Sequence, residues 1–504
     1  MENKTGTDIA LVVKYALEKG LISSEDCVWA KNRLASLIGE PACPHVAGEL
    51  PAVPEYPQQL LDALTDRAAQ NGAASLETGT ERDLFDTELM AVLTPRPSEV
   101  IAKFKDLYSE SPEKATDWYY AFSRATNYIR AERCAKDLRW NVPSPYGTIN
   151  ISVNLSKPEK DPKAIAAARF APKTAFPPCA LCRENEGYGG TLTTAARGNH
   201  RIIPIRLDGE DWYLQYSPYV YYNEHCIALS GRHRPMKVDK SSFERLLDFI
   251  DIFPHYFVGS NADLPIVGGS ILTHDHFQGG RATFPMEFAP VEKTYCCEKY
   301  AKVEIGRVKW PLSVIRLASE NRADLSALAE EILSAWRAYS DAERGILAFS
   351  GETPHNTITP IARRRGGRYE LDLVLRNNRT TEERPLGIFH PHPSRHHIKK
   401  ENIGLIEVMG LAVLPARLKR ELAEIEACLL GERNSFYENA ALAPHAGWYK
   451  KLCERTDITA GNCADILREE TGKIFIGCLE DCGVFARTAD GAEGFDKFIQ
   501  SVIG

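Results

Sequence analysis

A mixed α+β fold with largely antiparallel strands, preceded by a helical N-terminal domain, is what these 504 residues predict. Three observations carry that prediction. Apolar residues recur at helical spacing through roughly the first 140 positions. Strand-like alternation then begins at Thr148 and runs to Leu155. Beyond it the same order occurs twice: strands, a long helix, and a segment bearing His-x-His, first at His274 and His276 and again at His390 and His392. That recurrence suggests a duplicated unit.

The N-terminal helices come first. Asp8 to Leu17 places apolar residues on one helical face, and Ser23, Ser24 and Asp26 offer caps for the next helix. A proline-rich loop spans Pro41 to Pro57, and further helices are expected around Pro97 to Phe104 and Ala115 to Phe122. No catalytic motif falls in this region, which reads as an accessory domain. Strands follow at Thr148 to Leu155, Arg201 to Arg206, Trp212 to Tyr216 and Tyr219 to Leu229, then a helix over Ser241 to Phe257. Strands return at Pro265 to Gly268 and at Leu272 to Gln278. The second round has a helix near Leu325 to Arg344, strands at Asn356 to Ile361 and Tyr369 to Arg376, and the strand-like Gly387 to His392. Long helices from Ile403 to Leu430 close it. A chain this long rarely forms one core, and the expected division is 1–145, 146–350 and 351–504.

Composition narrows the function. Hydrophobic residues make up 44% and charged residues 26% of the chain, as in folded globular proteins. A net charge of -7 and a pI near 6.1 argue against a nucleic-acid binder. No apolar run approaches the roughly 20 residues of a membrane-spanning helix. Met1 to Ala10 lacks a signal-peptide core, so a cytoplasmic location is expected. Thirteen scattered cysteines do not read as a disulfide framework, and without a Rossmann glycine fingerprint no redox cofactor is expected.

Four motifs carry candidate chemistry. In the glycine-flanked segment Gly268 to Gly280, strand geometry would put His274, His276 and Gln278 on one face and Asp275 and Phe277 on the other. A neutral imidazole there is a competent nucleophile toward phosphorus, an amide can donate to a phosphoryl oxygen, and a metal pair or ordinary strand histidines remain open. Cys179 and Cys182 form the one CxxC pair, which suits a zinc knuckle given two more ligands, such as His225 and His274, or else two ordinary thiols. His355 with His390 and His392 suits a divalent metal, a phosphate or a sugar, or polar strand ends. Arg395, His396 and His397 read as a solvated turn. Lys157, Lys160 and Lys163, in a proline-punctuated loop after a strand, suit a diphosphate or simply solvate that loop.

Taken together, Val153 to Lys163, Cys182 to Tyr188, Gln215 to His225, Gly269 to Gln278 and His396 to Arg417 resemble the galactose-1-phosphate uridylyltransferases of the histidine-triad superfamily, in their second, bacterial type. The resemblance implies two fused histidine-triad-like units with the nucleophile in the first. It implies a double displacement: a histidine takes the uridylyl group of UDP-glucose, glucose 1-phosphate leaves, and galactose 1-phosphate accepts the group. His276 matches the family's nucleophile and Gln278 its phosphoryl-steadying glutamine. Asn261 and Ser270 match residues near the phosphates, and Glu407 the sugar-contacting glutamate. Cys179, Cys182, His225 and His274 match a structural zinc site of the family's first type, and Glu292, His355, His390 and His392 sit at places comparable to its second metal. A homodimer is implied as well. Asp275 departs from that type, which has proline between the histidines. Rival readings are another histidine-triad phosphorylase or nucleotide hydrolase, and a non-catalytic zinc-stabilised nucleotide-binding protein.

Overall fold

A computed structural model describes residues 4–41, 46, 49–155, 175–268, 271–432 and 436–504. The chain divides into two compact units, Met1–Lys136 with Ser156–Arg234, and Asp137–Leu155 with Pro235–Gly504. These bounds differ from the expected breaks at 145 and 350, and the packing shows why.

In the first unit the predicted helices form: Lys4–Glu18, Cys27–Leu37, Gln58–Gln70, Gly79–Leu93, Pro97–Glu110 and Pro112–Ala125. Ile9, Val12, Val13 and Tyr15 are buried along one face of the first helix, as the apolar spacing requires. Thr78 and Glu81 cap the fourth reciprocally. These helices do not end as a separate domain. The antiparallel strands Ile203–Leu207, Glu210–Tyr216 and Cys226–Ser230 belong to the same unit. Tyr216 Oη donates to Thr116 O at 3.0 Å, and Tyr128 Oη to Tyr216 O at 3.0 Å, so buried hydroxyls tie helix to strand. The strand expected over Tyr219 to Leu229 begins only at Cys226, because Val220 and Glu224 take positive φ (41° and 52°).

In the second unit, seven strands run in the order His276–Gly280, Phe257–Gly259, Asn356–Arg365, Arg368–Asn377, Val314–Ser319, Glu304–Val308 and Val291–Tyr295, with every neighbouring pair antiparallel. Helices Lys240–Ile252 and Arg322–Ala338 pack against this sheet. The strand Arg368–Asn377 shows the two-faced logic. Leu371, Leu373 and Leu375 share one face, whereas Glu370, Asp372 and Arg376 share the other with Val374. A separate three-stranded sheet pairs the hairpin Leu138–Ser144 and Gly147–Val153 with Leu411–Leu414, which joins it in parallel.

Three expectations fail here. Of the long helices expected from Ile403 to Leu430, Arg417–Leu429 forms, but the first part is a short helix Leu405–Val408 followed by the strand Leu411–Leu414. Gly410 makes the break: its φ is +98°, and a Cβ there would meet Pro285 and Trp310 at 3.0 Å. Gly387 to His392 forms no strand, since Gly387 takes φ +114° and Pro391 lacks a ladder donor. Pro265 to Gly268 is likewise a run of bends.

Candidate active site

The sheet of the second unit collects the site by register. Gln278 pairs with Gly259, Gly259 with Ile361, and Ile361 with Asp372. Directly paired residues project from one face. Two residues along, the same face carries His276, Thr359 and Val374, and Asn261 lies two residues past the end of the strand Phe257–Gly259. Two further on, the face carries Thr357 and Arg376, and Thr357 Oγ1 donates to Asp263 Oδ1 at 2.5 Å. His276 and Gln278 therefore share one face of the strand His276–Gly280.

His276 is 6% exposed, and its Nδ1–H donates to the His274 carbonyl at 2.7 Å. A carbonyl only accepts, so the proton sits on Nδ1 and Nε2 keeps its lone pair. Burial above all pushes the imidazole pKa down to about 4, so the ring is neutral near pH 7. His274 departs from its expected place beside His276: the strand starts at His276, so His274 lies in the preceding turn and alternation does not govern it. Asp275 is buried with Arg245 Nη1 3.9 Å away, on the helix Lys240–Ile252.

Asn261 accepts from the Leu405 N–H at 3.0 Å, which ties the short helix Leu405–Val408 to the segment that follows the strand Phe257–Gly259. Glu407 belongs to that helix. Its Oε2 accepts from Gly404 N–H (3.1 Å) and its Oε1 from Lys399 Nζ (2.9 Å), so the carboxylate is fixed at both oxygens. Ser270, Lys157 and Lys160 lie outside the described residues.

Cys179 Sγ and Cys182 Sγ are 3.5 Å apart, and His233 Nδ1 lies 3.1 Å from Cys182 Sγ. The ligand atoms of these three all fall within 4.8 Å of one another. Two thiols and an imidazole are the donors zinc prefers, so the residues fit that ion. His233 thus takes the place the sequence analysis gives to His225. The five residues of Cys226–Ser230 rise roughly 3.4 Å each and separate the two histidines along the strand. His225 instead packs on the rings of Tyr221 and Tyr222, at 5.4 and 4.5 Å. The only signal for His233 was its position just past a strand end, in an Arg-His-Arg-Pro turn.

Glu292, His355, His390 and His392 form no such group among the described residues. Glu292 pairs with Arg307 and Arg487. His355 bonds Asn378 Oδ1 at 2.9 Å and Ser350 Oγ at 2.8 Å. His392 is exposed and caps Pro393–Arg395, accepting from Ser394 N–H. His390 is buried (4% exposed), with Nδ1–H donating to the Pro391 carbonyl at 3.2 Å. The segment Arg395 to His397 is no solvated turn: Arg395 pairs with Asp481 at 2.8 Å, and His397 is buried against His445 and Trp448.

Residues 20–235 match the family description "Galactose-1-phosphate uridyl transferase, N-terminal domain", and residues 249–443 match its C-terminal counterpart. A galactose-1-phosphate uridylyltransferase of Clostridium acetobutylicum is 52% identical over 98% of this chain and 99% of its own length. One from Bacillus subtilis is 49% identical over 97% and 96%, and one from Streptococcus pneumoniae 46% over 97% and 98%. The solved yeast Ap4A phosphorylase Apa2 superposes with a TM-score of 0.33 at 13% identity, over 64% of this chain and 90% of its own. The chain is an enzyme of the nucleotidyltransferase class. It belongs to the galactose-1-phosphate uridylyltransferase family.

Proposed function

We propose that this enzyme transfers a uridylyl group from UDP-glucose to galactose 1-phosphate by a ping-pong route through a covalent uridylyl-His276. The observation that carries this is the bond from His276 Nδ1 to the His274 carbonyl, which leaves Nε2 as the nucleophilic atom. Nε2 attacks the α-phosphorus, the bond to the bridging oxygen breaks, and glucose 1-phosphate leaves. A phosphate oxygen of galactose 1-phosphate then attacks the same phosphorus, and the His276–phosphorus bond breaks. The His274 carbonyl faces the positive charge that the ring gains in the intermediate.

Gln278, one step along the same face, donates to a phosphoryl oxygen as charge develops on it. Asn261, its Oδ1 held by Leu405, presents its amide N–H groups to the phosphates. Ser270 keeps the substrate contact that the resemblance implies, Lys157 and Lys160 supply point charges to the diphosphate, and Glu407 accepts from sugar hydroxyls. Zinc held by Cys179, Cys182 and His233 would pin the loop around the CxxC pair. We assign His274 as the fourth ligand on the family resemblance and on the need of tetrahedral zinc for another nitrogen or sulfur donor. A cytoplasmic homodimer that binds neither nucleic acid nor membrane completes the reading.

Intact-protein mass spectrometry after incubation with UDP-glucose alone tests it. The wild type gains one uridylyl unit and releases glucose 1-phosphate, and His276→Ala does neither. An adduct that persists in His276→Ala overturns the assignment.

A further inference from the structure

Three buried arginines project from one face of the second unit's sheet: Arg316, Arg363 and Arg376, at 8%, 5% and 2% exposure. Two of them have counter-charges. Arg316 Nε donates to Asp372 Oδ1 at 2.7 Å and Arg363 Nη2 to Asp372 Oδ2 at 2.6 Å, with Glu370 beside them. Arg376 differs. Among the described residues no carboxylate comes within 4.0 Å of it. Its Nη2 donates to the Ile403 carbonyl at 2.9 Å, and its Nη1 is buried without a partner. A guanidinium buried away from any counter-charge is strongly disfavoured unless something else compensates it.

Two further buried atoms without partners lie near it. Thr359 Oγ1 is one, on the same face, one step along the strand from Thr357, the partner of Arg376. His390 Nε2 is the other. Burial lowers the pKa of His390, and the nearby charge of Arg376 lowers it further. With Nδ1–H committed to Pro391, His390 Nε2 is an acceptor. Glu407 is close enough for its charge to act on Arg376. Its helix is the one joined to Asn261 through Leu405. A fixed cation, a neutral acceptor and a hydroxyl beside the nucleophile's row complement an anion that also carries hydroxyl groups.

We propose that Arg376 is a substrate-binding residue that takes the phosphate of the hexose 1-phosphate moiety, with His390 Nε2 accepting from a sugar hydroxyl. This rests on the transfer reading above. In the first half-reaction the group bound is the sugar-linked phosphate of UDP-glucose, and in the second it is the phosphate of galactose 1-phosphate.

Full-length Arg376→Gln and Arg376→Lys are compared with wild type. In Arg376→Gln, KM for galactose 1-phosphate rises roughly 10- to 100-fold, the range of a lost charge-assisted hydrogen bond. Affinity for UMP stays within about twofold, and Arg376→Lys recovers part of the loss. The melting temperature of Arg376→Gln does not fall, because an uncompensated charge has left the interior. An unchanged KM overturns the proposal. So does a fall in melting temperature with UMP affinity and KM lost together, which is the signature of an arginine that only braces Ile403. Should the wild type form no uridylyl adduct, the transfer reading fails by itself. Direct titration with galactose 1-phosphate then decides, and equal affinities in wild type and Arg376→Gln overturn the Arg376 assignment.

Discussion

The two His-x-His segments of the second unit have the same spacing and different fates. At His274 and His276 the chain enters a strand on its second histidine, which shares a strand face with Gln278, itself paired with Gly259. At His390 and His392 the chain is looped, one ring is buried, and the other is an exposed cap. In both segments a buried imidazole is locked by Nδ1–H to a nearby carbonyl, of His274 or of Pro391. What distinguishes them is the neighbouring strand. Only His276 has one, so only His276 is aligned with an amide two residues on. Spacing makes a pair of histidines, whereas strand pairing decides what they face.

His276→Ala is expected to abolish the adduct and lower turnover by at least about 10⁵-fold, while His392→Ala keeps turnover within about threefold, both measured by steady-state assay. Comparable losses would remove the distinction. Gln278→Ala tests whether alignment on the strand matters: kcat should fall roughly 10²- to 10³-fold with little change in KM. The other member of the first pair is probed by metal content. His233→Ala should lose bound zinc and melt at a lower temperature, with His274→Ala doing likewise and His225→Ala retaining its zinc by atomic absorption. Zinc kept in His233→Ala would refute the ligand set.

The smallest effect belongs to the second pair. Burial holds the pKa of His390 below its ordinary value. The unfolded chain, with an imidazole near 6.5, therefore takes up the proton first as pH falls. Stability from this residue is present above about pH 6.5 and is lost as pH drops through that value toward the folded one. Chemical denaturation at pH 6.5 and 5 should show a shallower pH slope in His390→Gln than in wild type. Equal slopes would mean His390 is not held neutral.

Much of this was legible in the sequence. The first helix reads from its apolar face, and His276 with Gln278 from a period of two. Cys179 and Cys182 read from their spacing. What failed did so for local backbone reasons. Gly410 at φ +98° splits a helix that its flanking apolar residues suggest, and positive φ at Val220 and Glu224 delays the strand at Cys226. His233 was missed because ligands from distant turns share no periodicity. Arg376 was missed for another reason. The alternation Leu371, Leu373, Leu375 shows where Arg376 points, but only the pairing of Asp372 with Arg316 and Arg363 shows that no carboxylate is left to pair with it directly.

The parallel partnership of Leu411–Leu414 with Gly147–Val153 has a consequence during synthesis. The hairpin Leu138–Ser144 and Gly147–Val153 leaves the ribosome early, with one edge open for pairing. At about 5–20 residues per second, that edge waits on the order of tens of seconds for the segment that closes it. An unpaired edge is a template for association with other chains. Cells that translate this message slowly therefore expose the nascent chain for longest, and its yield of native enzyme should track elongation speed through residues 155 to 410.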